Sequence, residues 1–136
     1  MEFLKFSLAG FGSFLLYFVL AALFVIVYLA IYVRVTPYRE FALIREGNAA
    51  AAASVSGSLL GFVLPLASAV IQSVNALDMA VWAAVALVVQ IVVYLVVRAL
   101  MPGIVRHIPE GRVAAGVVLG TVSLAAGILN AACMSY

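Results

Sequence analysis

The chain has 136 residues, of which 68% are hydrophobic and 9% are charged, and this composition excludes a single soluble globular domain. Its net charge of +2 is small, and its basic residues lie in short segments, so the sequence does not favour a nucleic-acid partner. Uncharged stretches cover residues 6–33, 47–77, 79–97 and 113–136. Since roughly 20 apolar helical residues cross a bilayer, we predict one all-α domain, residues 1–136, with four transmembrane helices.

The first span is predicted at residues 14–33. Its apolar run is far longer than the roughly 7–15 apolar residues of a secretory signal, so we expect it to be retained. A charged segment, 34–48, follows it. There, Thr36 and Pro37 are expected to begin a short helix and Gly47 to end it.

The remaining spans are predicted at 49–73, 79–97 and 113–134, and a second charged segment covers residues 98–112. Both charged segments carry apolar residues among their arginines, which predicts short helices lying along the membrane surface. Together the two segments hold six of the seven basic residues. Because short loops rich in Lys and Arg stay in the cytoplasm, we expect 34–48 and 98–112 to be cytoplasmic and both termini to be external.

A weak internal repeat with an offset of 64 residues relates the two halves of the chain. It aligns the Glu-Gly pair at 46–47 with the pair at 110–111. The repeat units cover about residues 14–73 and 79–134. Each unit crosses the membrane twice, so we predict two similar two-helix units in parallel orientation.

The second and fourth spans are rich in small residues, whereas large apolar residues dominate the first and third. Helices associate in lipid through close backbone packing, which rows of small residues permit. The glycines predicted to pack are Gly57, Gly61, Gly116, Gly120 and Gly127. We therefore expect the second and fourth helices to form the inner contact surface.

Four polar residues are candidates for a solute or ion pathway, because polar groups in hydrocarbon are costly unless they are paired. They are Asn75 and Asp78 in the external turn, Gln90 near the middle of the third span, and Asn130 near the outer end of the fourth. The structural alternative for Asp78 is to cap a helix, and for Asn75 to close a turn. For Gln90 and Asn130 it is a hydrogen bond to another helix.

Glu46 and Glu110 precede the two helices of small residues, where a carboxylate interacts favourably with the positive end of the helix dipole. Their alternative role is a pair of acids that selects cations at an inner vestibule. Pro65 is predicted to kink the second span and to free a backbone carbonyl, which can coordinate an ion in transporters.

Three tyrosines, Tyr28, Tyr32 and Tyr94, lie toward the inner ends of their spans and are compatible with an interfacial aromatic belt. Cys133 has no partner for an intrachain disulfide, and its role stays open between apolar packing, dimerisation of chains outside the membrane and attachment of a lipid. The sequence has no nucleophile with a base and oxyanion donors, no phosphate-binding glycine loop and no metal-ligand cluster. We therefore predict a non-enzymatic protein without cofactor or metal.

Several segments carry a resemblance to a known family: Thr36-Pro37-Tyr38, the run from Ile44 to Ala51, the stretch from Gly61 to Ser68, Asp78-Met79, Glu110-Gly111 and the run from Leu129 to Met134. Over nearly its whole length the chain resembles domain-of-unknown-function family 350. The resemblance implies a small bacterial inner-membrane protein with four spans in two similar halves. It also implies a link to envelope stress, because members are often encoded beside proteins of the phage-shock type.

Our leading hypothesis is an oligomeric assembly or interaction unit of the inner membrane. The expected partners are other copies of the chain and a membrane-stress protein. The alternative hypothesis is an oligomeric ion channel or a small-solute transporter built around the pathway candidates.

Overall fold

A computed structural model describes residues 1–134 of the chain. These residues form α1 (Glu2–Val35), α2 (Glu40–Arg45), α3 (Ala49–Gln72), α4 (Ala76–Leu100), α5 (Ile104–His107) and α6 (Val113–Cys133). No strand occurs in this part of the chain. α1, α3, α4 and α6 are long and apolar enough to cross a membrane, which confirms the predicted all-α class with four spans.

The first span is longer than predicted, because α1 begins at Glu2 instead of near residue 14. Gly10 and Gly12 lower helix propensity, but no proline interrupts the apolar run, so nothing stops the helix there. With 34 residues, α1 is about 51 Å long. The other three spans have 24, 25 and 21 residues, which corresponds to about 32–38 Å.

α3 and α6 form the central pair of the bundle and run in the same direction. Ala50 lies against Gly116 near the first turn of each helix. Near the last turns, the Ser68 hydroxyl lies 3.4 Å from the Ala131 carbonyl oxygen. α4 packs on both members of the pair, whereas α1 packs on α3 and α4.

The two short helices lie at one end of the bundle, called the connection end, and residues 73–75 form a turn at the other, called the turn end. α2 is followed by Gly47 (φ 87°) and α5 by Gly111 (φ 82°), both in the left-handed region that favours glycine. In both cases the amide after the glycine donates to a carbonyl five residues earlier, at 2.9 and 3.1 Å. The two connections therefore end in the same type of helix cap.

α2 begins later than the sequence predicts. The Thr36 amide still donates to the Tyr32 carbonyl, so Thr36 ends α1, and Arg39 occupies the N-cap of α2. The Thr36 hydroxyl instead contacts Oε1 of Glu40, in the first turn of α2. The prediction that Thr36 and Pro37 begin the short helix is therefore wrong.

Asn48 links the two connections, and its loss is a testable change. Its Oδ1 accepts from the Ala51 amide at 3.0 Å and caps α3, while its Nδ2 donates to the Ile108 carbonyl at 2.9 Å. Asn75 makes the same capping bond on α4. We expect Asn48→Ala to lower the free energy of unfolding by about 2 kcal/mol and Asn75→Ala by about 1 kcal/mol. Unfolding of the two variants in mild detergent measures this difference, and equal losses would contradict the bridging role of Asn48.

Candidate functional site

The five glycines predicted to pack all lie where α3 meets α6, and we call this set the glycine interface. A β-carbon at Gly57 would collide with the backbone of Gly120, and one at Gly116 with the backbone of Ala50. The same holds for Gly61, Gly120 and Gly127 against the backbone of the opposite helix. The two backbones therefore touch directly, in the manner of close helix pairs in membranes.

The carbonyl that Pro65 leaves without a helical donor belongs to Gly61, four residues earlier. A β-carbon at Gly127 would collide with this oxygen, so α6 covers it. Contacts between a glycine Cα–H group and a carbonyl oxygen recur at helix–helix interfaces and contribute favourably. The freed carbonyl thus faces the glycine interface, and not an open cavity where it could coordinate an ion.

Polar side chains from all four spans meet in the interior beside the middle of this interface. The Ser58 hydroxyl lies 3.2 Å from the Tyr32 hydroxyl and 3.4 Å from the Ser123 hydroxyl. Gln90 donates from Nε2 to the Ser123 carbonyl at 3.1 Å, and its Oε1 is buried without a partner. Gln90 therefore points into the bundle and joins α4 to α6, which is the structural alternative considered above for this residue.

Aromatic rings flank this polar group on both sides along the bundle. The Tyr28 ring stacks on Phe62 with centroids 4.6 Å apart, and the Tyr32 ring meets the Tyr94 ring edge-on at 5.4 Å. Together with Thr36, Tyr38 and Glu40, these residues form the buried polar cluster: Tyr28, Tyr32, Thr36, Tyr38, Glu40, Ser58, Gln90, Tyr94 and Ser123. The cluster runs from the connection end to about the middle of the spans.

Glu40 is the acidic member of the cluster and is fully buried. Its Oε1 contacts the Thr36 hydroxyl, and its Oε2 has no hydrogen-bond partner. Burial raises the pKa of the carboxyl from 4.5 to about 7, an effect that the contact with Thr36 partly opposes. Burial also raises the pKa of the Tyr38 phenol. The connection end therefore holds a carboxyl that titrates near neutrality.

An apolar layer separates the buried polar cluster from the turn end. The core there consists of residues that are at most 3% exposed: Phe62, Leu66, Ala69, Met79 and Ala83. A polar group in such a layer would be costly without a partner. The interior of one chain is thus polar toward the connection end and largely apolar toward the turn end.

The pathway candidates at the turn end are not gathered around one site. The Asp78 amide donates to Asn75 Oδ1 at 2.8 Å, and the Val74 amide donates to Asp78 Oδ2 at 3.1 Å, both in an exposed turn. Asn130 is partly buried, and its Nδ2 has no partner. Within residues 1–134, no hydrogen bond joins Asn130 to Asn75 or Asp78. Asn75 and Asp78 are arranged to cap α4, as their residue types favour.

Glu46 and Glu110 are both exposed and do not face the bundle interior. Glu110 Oε2 lies 3.4 Å from Arg112 Nε in a pair that is open to solvent. Such a pair contributes little to stability. Cys133 is a free, exposed thiol.

The sequence reasoning missed the tyrosines and Glu40. Tyr28, Tyr32 and Tyr94 are each about 1% exposed, so their interpretation as an interfacial belt is wrong. The four-residue spacing of Tyr28 and Tyr32 places both on one helix face, which was a usable signal. Glu40 likewise shares a face of α2 with Ile44, four residues later, and that face packs on the core.

Comparison with known proteins places the chain among bacterial membrane proteins. A family model described as Domain of Unknown Function (DUF350) matches residues 6–134. The "UPF0719 inner membrane protein YjfL" of Escherichia coli K12 is 44% identical over 130 residues, covering 96% of both chains. The protein of the same name from Escherichia coli O157:H7 matches equally well. No solved structure matches. The coverage and the identity confirm the resemblance, and the chain is therefore an integral inner-membrane protein that belongs to the DUF350 family.

Proposed function

We propose that the protein is a non-enzymatic assembly unit of the inner membrane that forms homo-oligomers through the first part of α1. The observation that carries the proposal is the overhang of α1 at the turn end. Val70, close to the end of α3, lines one groove with Gly10 and Tyr17. Residues 2–9 therefore extend beyond the level at which α3 ends.

This overhang carries Glu2 and Lys5, is otherwise mostly apolar, and makes little contact with the rest of the chain. Phe3 and Phe6 are more than 80% exposed, and Phe11 is 56% exposed. The uncharged part of α1, residues 6–33, is about 42 Å long and exceeds the roughly 30 Å hydrocarbon core, so it tilts, thickens the bilayer or packs on a partner. An apolar groove of about 590 Å³ lies between residues 18–26 of α1 and residues 63–71 of α3, and it offers a surface for a helix of a second copy.

Crosslinking in vesicles of phosphatidylethanolamine and phosphatidylglycerol tests the assembly. We expect the full chain to form a defined oligomer and a variant lacking residues 2–11 to remain mainly monomeric. Helix content by circular dichroism should fall only by the deleted turns. The matched control is Val88→Ala with Val92→Ala, which alters an exposed face of α4 and should leave the oligomer intact. A monomeric full chain, or a deletion variant that still assembles, contradicts the proposal.

We further propose that the oligomer serves membrane maintenance together with a membrane-stress protein. The support is the resemblance to a family whose members are often encoded beside phage-shock type proteins. Crosslinking in cells, before and after the membrane potential is dissipated, should capture such a protein on the full chain. If the full chain captures only copies of itself under both conditions, the proposed stress role is wrong. The self-assembly proposal is unaffected by that result.

The proposed orientation places both termini outside and the segments 34–48 and 98–112 in the cytoplasm, with α2 and α5 along the inner membrane surface. Its support is the arginine content of these segments. In a Cys133→Ala background, a membrane-impermeant thiol reagent should label Asn75→Cys in intact cells and Arg106→Cys only after permeabilisation. The opposite labelling pattern would reverse the orientation.

The second candidate function is an oligomeric channel or small-solute transporter, and the buried polar cluster is the observation that favours it. Gln90, Ser58 and Ser123 place polar atoms near the middle of the spans. Intramembrane polar residues often mark transport pathways. Because the turn half of one chain has an apolar core, a complete pathway would need surfaces shared between copies.

Flux measurements on reconstituted vesicles test this candidate. Gradients of protons, Na⁺, K⁺ and small solutes should reveal a flux that Gln90→Leu lowers at least about tenfold. The variants Asp78→Ala and Glu46→Ala probe the two ends of the pathway. The absence of flux under every gradient would reject transport while leaving the assembly proposal untouched.

A further inference from the structure

Glu40 occupies an unusual position for an acidic side chain. It is fully buried. Within residues 1–134 it forms no salt bridge, since the ion pair found there joins Glu110 to Arg112. The guanidinium of Arg98 donates from Nη1 to the Val35 carbonyl at 3.4 Å instead. Acidic side chains are almost never fully buried unless they are paired, so the ionised form of Glu40 is costly here.

The hydrogen-bond geometry around Thr36 favours a neutral carboxyl. The Thr36 Oγ1 atom contacts Glu40 Oε1 and also lies 3.2 Å from the Val33 carbonyl oxygen. A hydroxyl has one proton to donate, and both neighbours accept when Glu40 is ionised. When Glu40 carries a proton, its carboxyl donates to Thr36 Oγ1 and the Thr36 proton goes to Val33. Protonation thus satisfies both contacts with groups that are already in place.

The surrounding elements supply several hydroxyls and one positive charge. Tyr28 and Tyr32 of α1, and Tyr94 of α4, lie near Glu40. From the α1–α2 linker, Tyr38 lies near both Glu40 and Arg98. α3, which packs on α2, has no ionisable side chain. The buried hydroxyls of Tyr38 and Tyr94 lie close to each other and to Arg98, so the polar atom left without a partner beside them is Glu40 Oε2.

We propose that Glu40 is a proton-binding site, at which the buried polar cluster takes up a proton onto the carboxylate from the solvent at the connection end. A bound Na⁺ or K⁺ would need several oxygen ligands around the carboxylate, whereas a proton needs only the contact between Glu40 and Thr36 that is already in place. The raised pKa of the carboxyl agrees with this site. The inference is independent of whether the protein assembles or transports.

Infrared difference spectroscopy in phosphatidylethanolamine and phosphatidylglycerol vesicles tests the site. We expect the full chain to show a protonated-carboxyl C=O band at pH 6 that is lost by pH 8. Glu40→Gln should remove this band, while Glu46→Gln, at an exposed position, should keep it. Replacing choline chloride by NaCl or KCl at constant ionic strength should not move the midpoint.

Two results would overturn the proposal. One is a failure of the carboxyl band itself: the band survives in Glu40→Gln, or every carboxyl of the wild-type protein has a pKa in the ordinary range. The other is a midpoint that falls as Na⁺ or K⁺ rises, which would show competition by a cation. If Glu40→Gln does not fold, ¹³C NMR of the wild-type glutamate carboxyls decides the question, because one of the four glutamates should titrate apart from the others.

Discussion

Gly127→Ala is expected to destabilise the bundle by about 1–3 kcal/mol, although it adds a single methyl group. That methyl group would collide with the Gly61 carbonyl oxygen and the Gly61 backbone, not with a side chain that can turn away. The two helices would have to separate along their contact, losing close packing over several turns. Gly127→Leu is expected to prevent the native pairing of α3 and α6 altogether. Unfolding in mild detergent, followed by circular dichroism and Trp82 fluorescence, measures both effects.

Gly12 provides the matched control for this change. It lies in α1, and a β-carbon there would meet no atom within 4 Å. Gly12→Ala should therefore be neutral or stabilise the helix by up to about 1 kcal/mol, since alanine has the higher helix propensity. Equal unfolding midpoints for Gly127→Ala and Gly12→Ala would show that α3 and α6 do not pack as closely as the structure has them.

The close pairing of α3 and α6 could be anticipated from sequence because glycine spacing controls backbone approach directly. Gly57 and Gly61, like Gly116 and Gly120, recur at four-residue spacing and so form a row on one face of each helix. What spacing does not determine is the register between the two rows. The structure places Gly57 beside Gly120 and Gly61 beside Gly127, and this register also positions the Gly61 carbonyl under α6.

The buried polar cluster was harder to anticipate because it depends on contacts between distant parts of the chain. Gln90 was a natural candidate, since an isolated amide in an apolar span needs a partner. Tyrosine suits both a membrane interface and a buried site, so the position of Tyr32 along its span favoured the wrong environment. Glu40 lies in a short charged segment where solvent exposure is the usual state. Its burial follows from the packing of α2 on α3, which no local pattern encodes.

Glu40 should make the stability of the protein fall as pH rises from about 5 to 8. Its carboxyl has an ordinary pKa of 4.5, which burial raises to about 7 in the folded chain. Between these values the folded state binds a proton that the unfolded state has released, so the unfolding free energy decreases with increasing pH. The cost of ionising the buried Glu40 carboxyl is absent below about pH 4.5 and fully present above about pH 7. The difference in stability between pH 5 and pH 8 is on the order of 2–3 kcal/mol.

Glu40→Gln is expected to remove most of this dependence, because the amide keeps an acceptor for Thr36 and carries no charge at either pH. The variant should therefore unfold at a higher temperature than the wild type at pH 8, and the two should differ least at pH 5. Glu110→Gln alters an exposed carboxyl that pairs with Arg112 and should retain the wild-type slope. A wild-type stability that rises from pH 5 to pH 8 would show that Glu40 is ionised in the folded state.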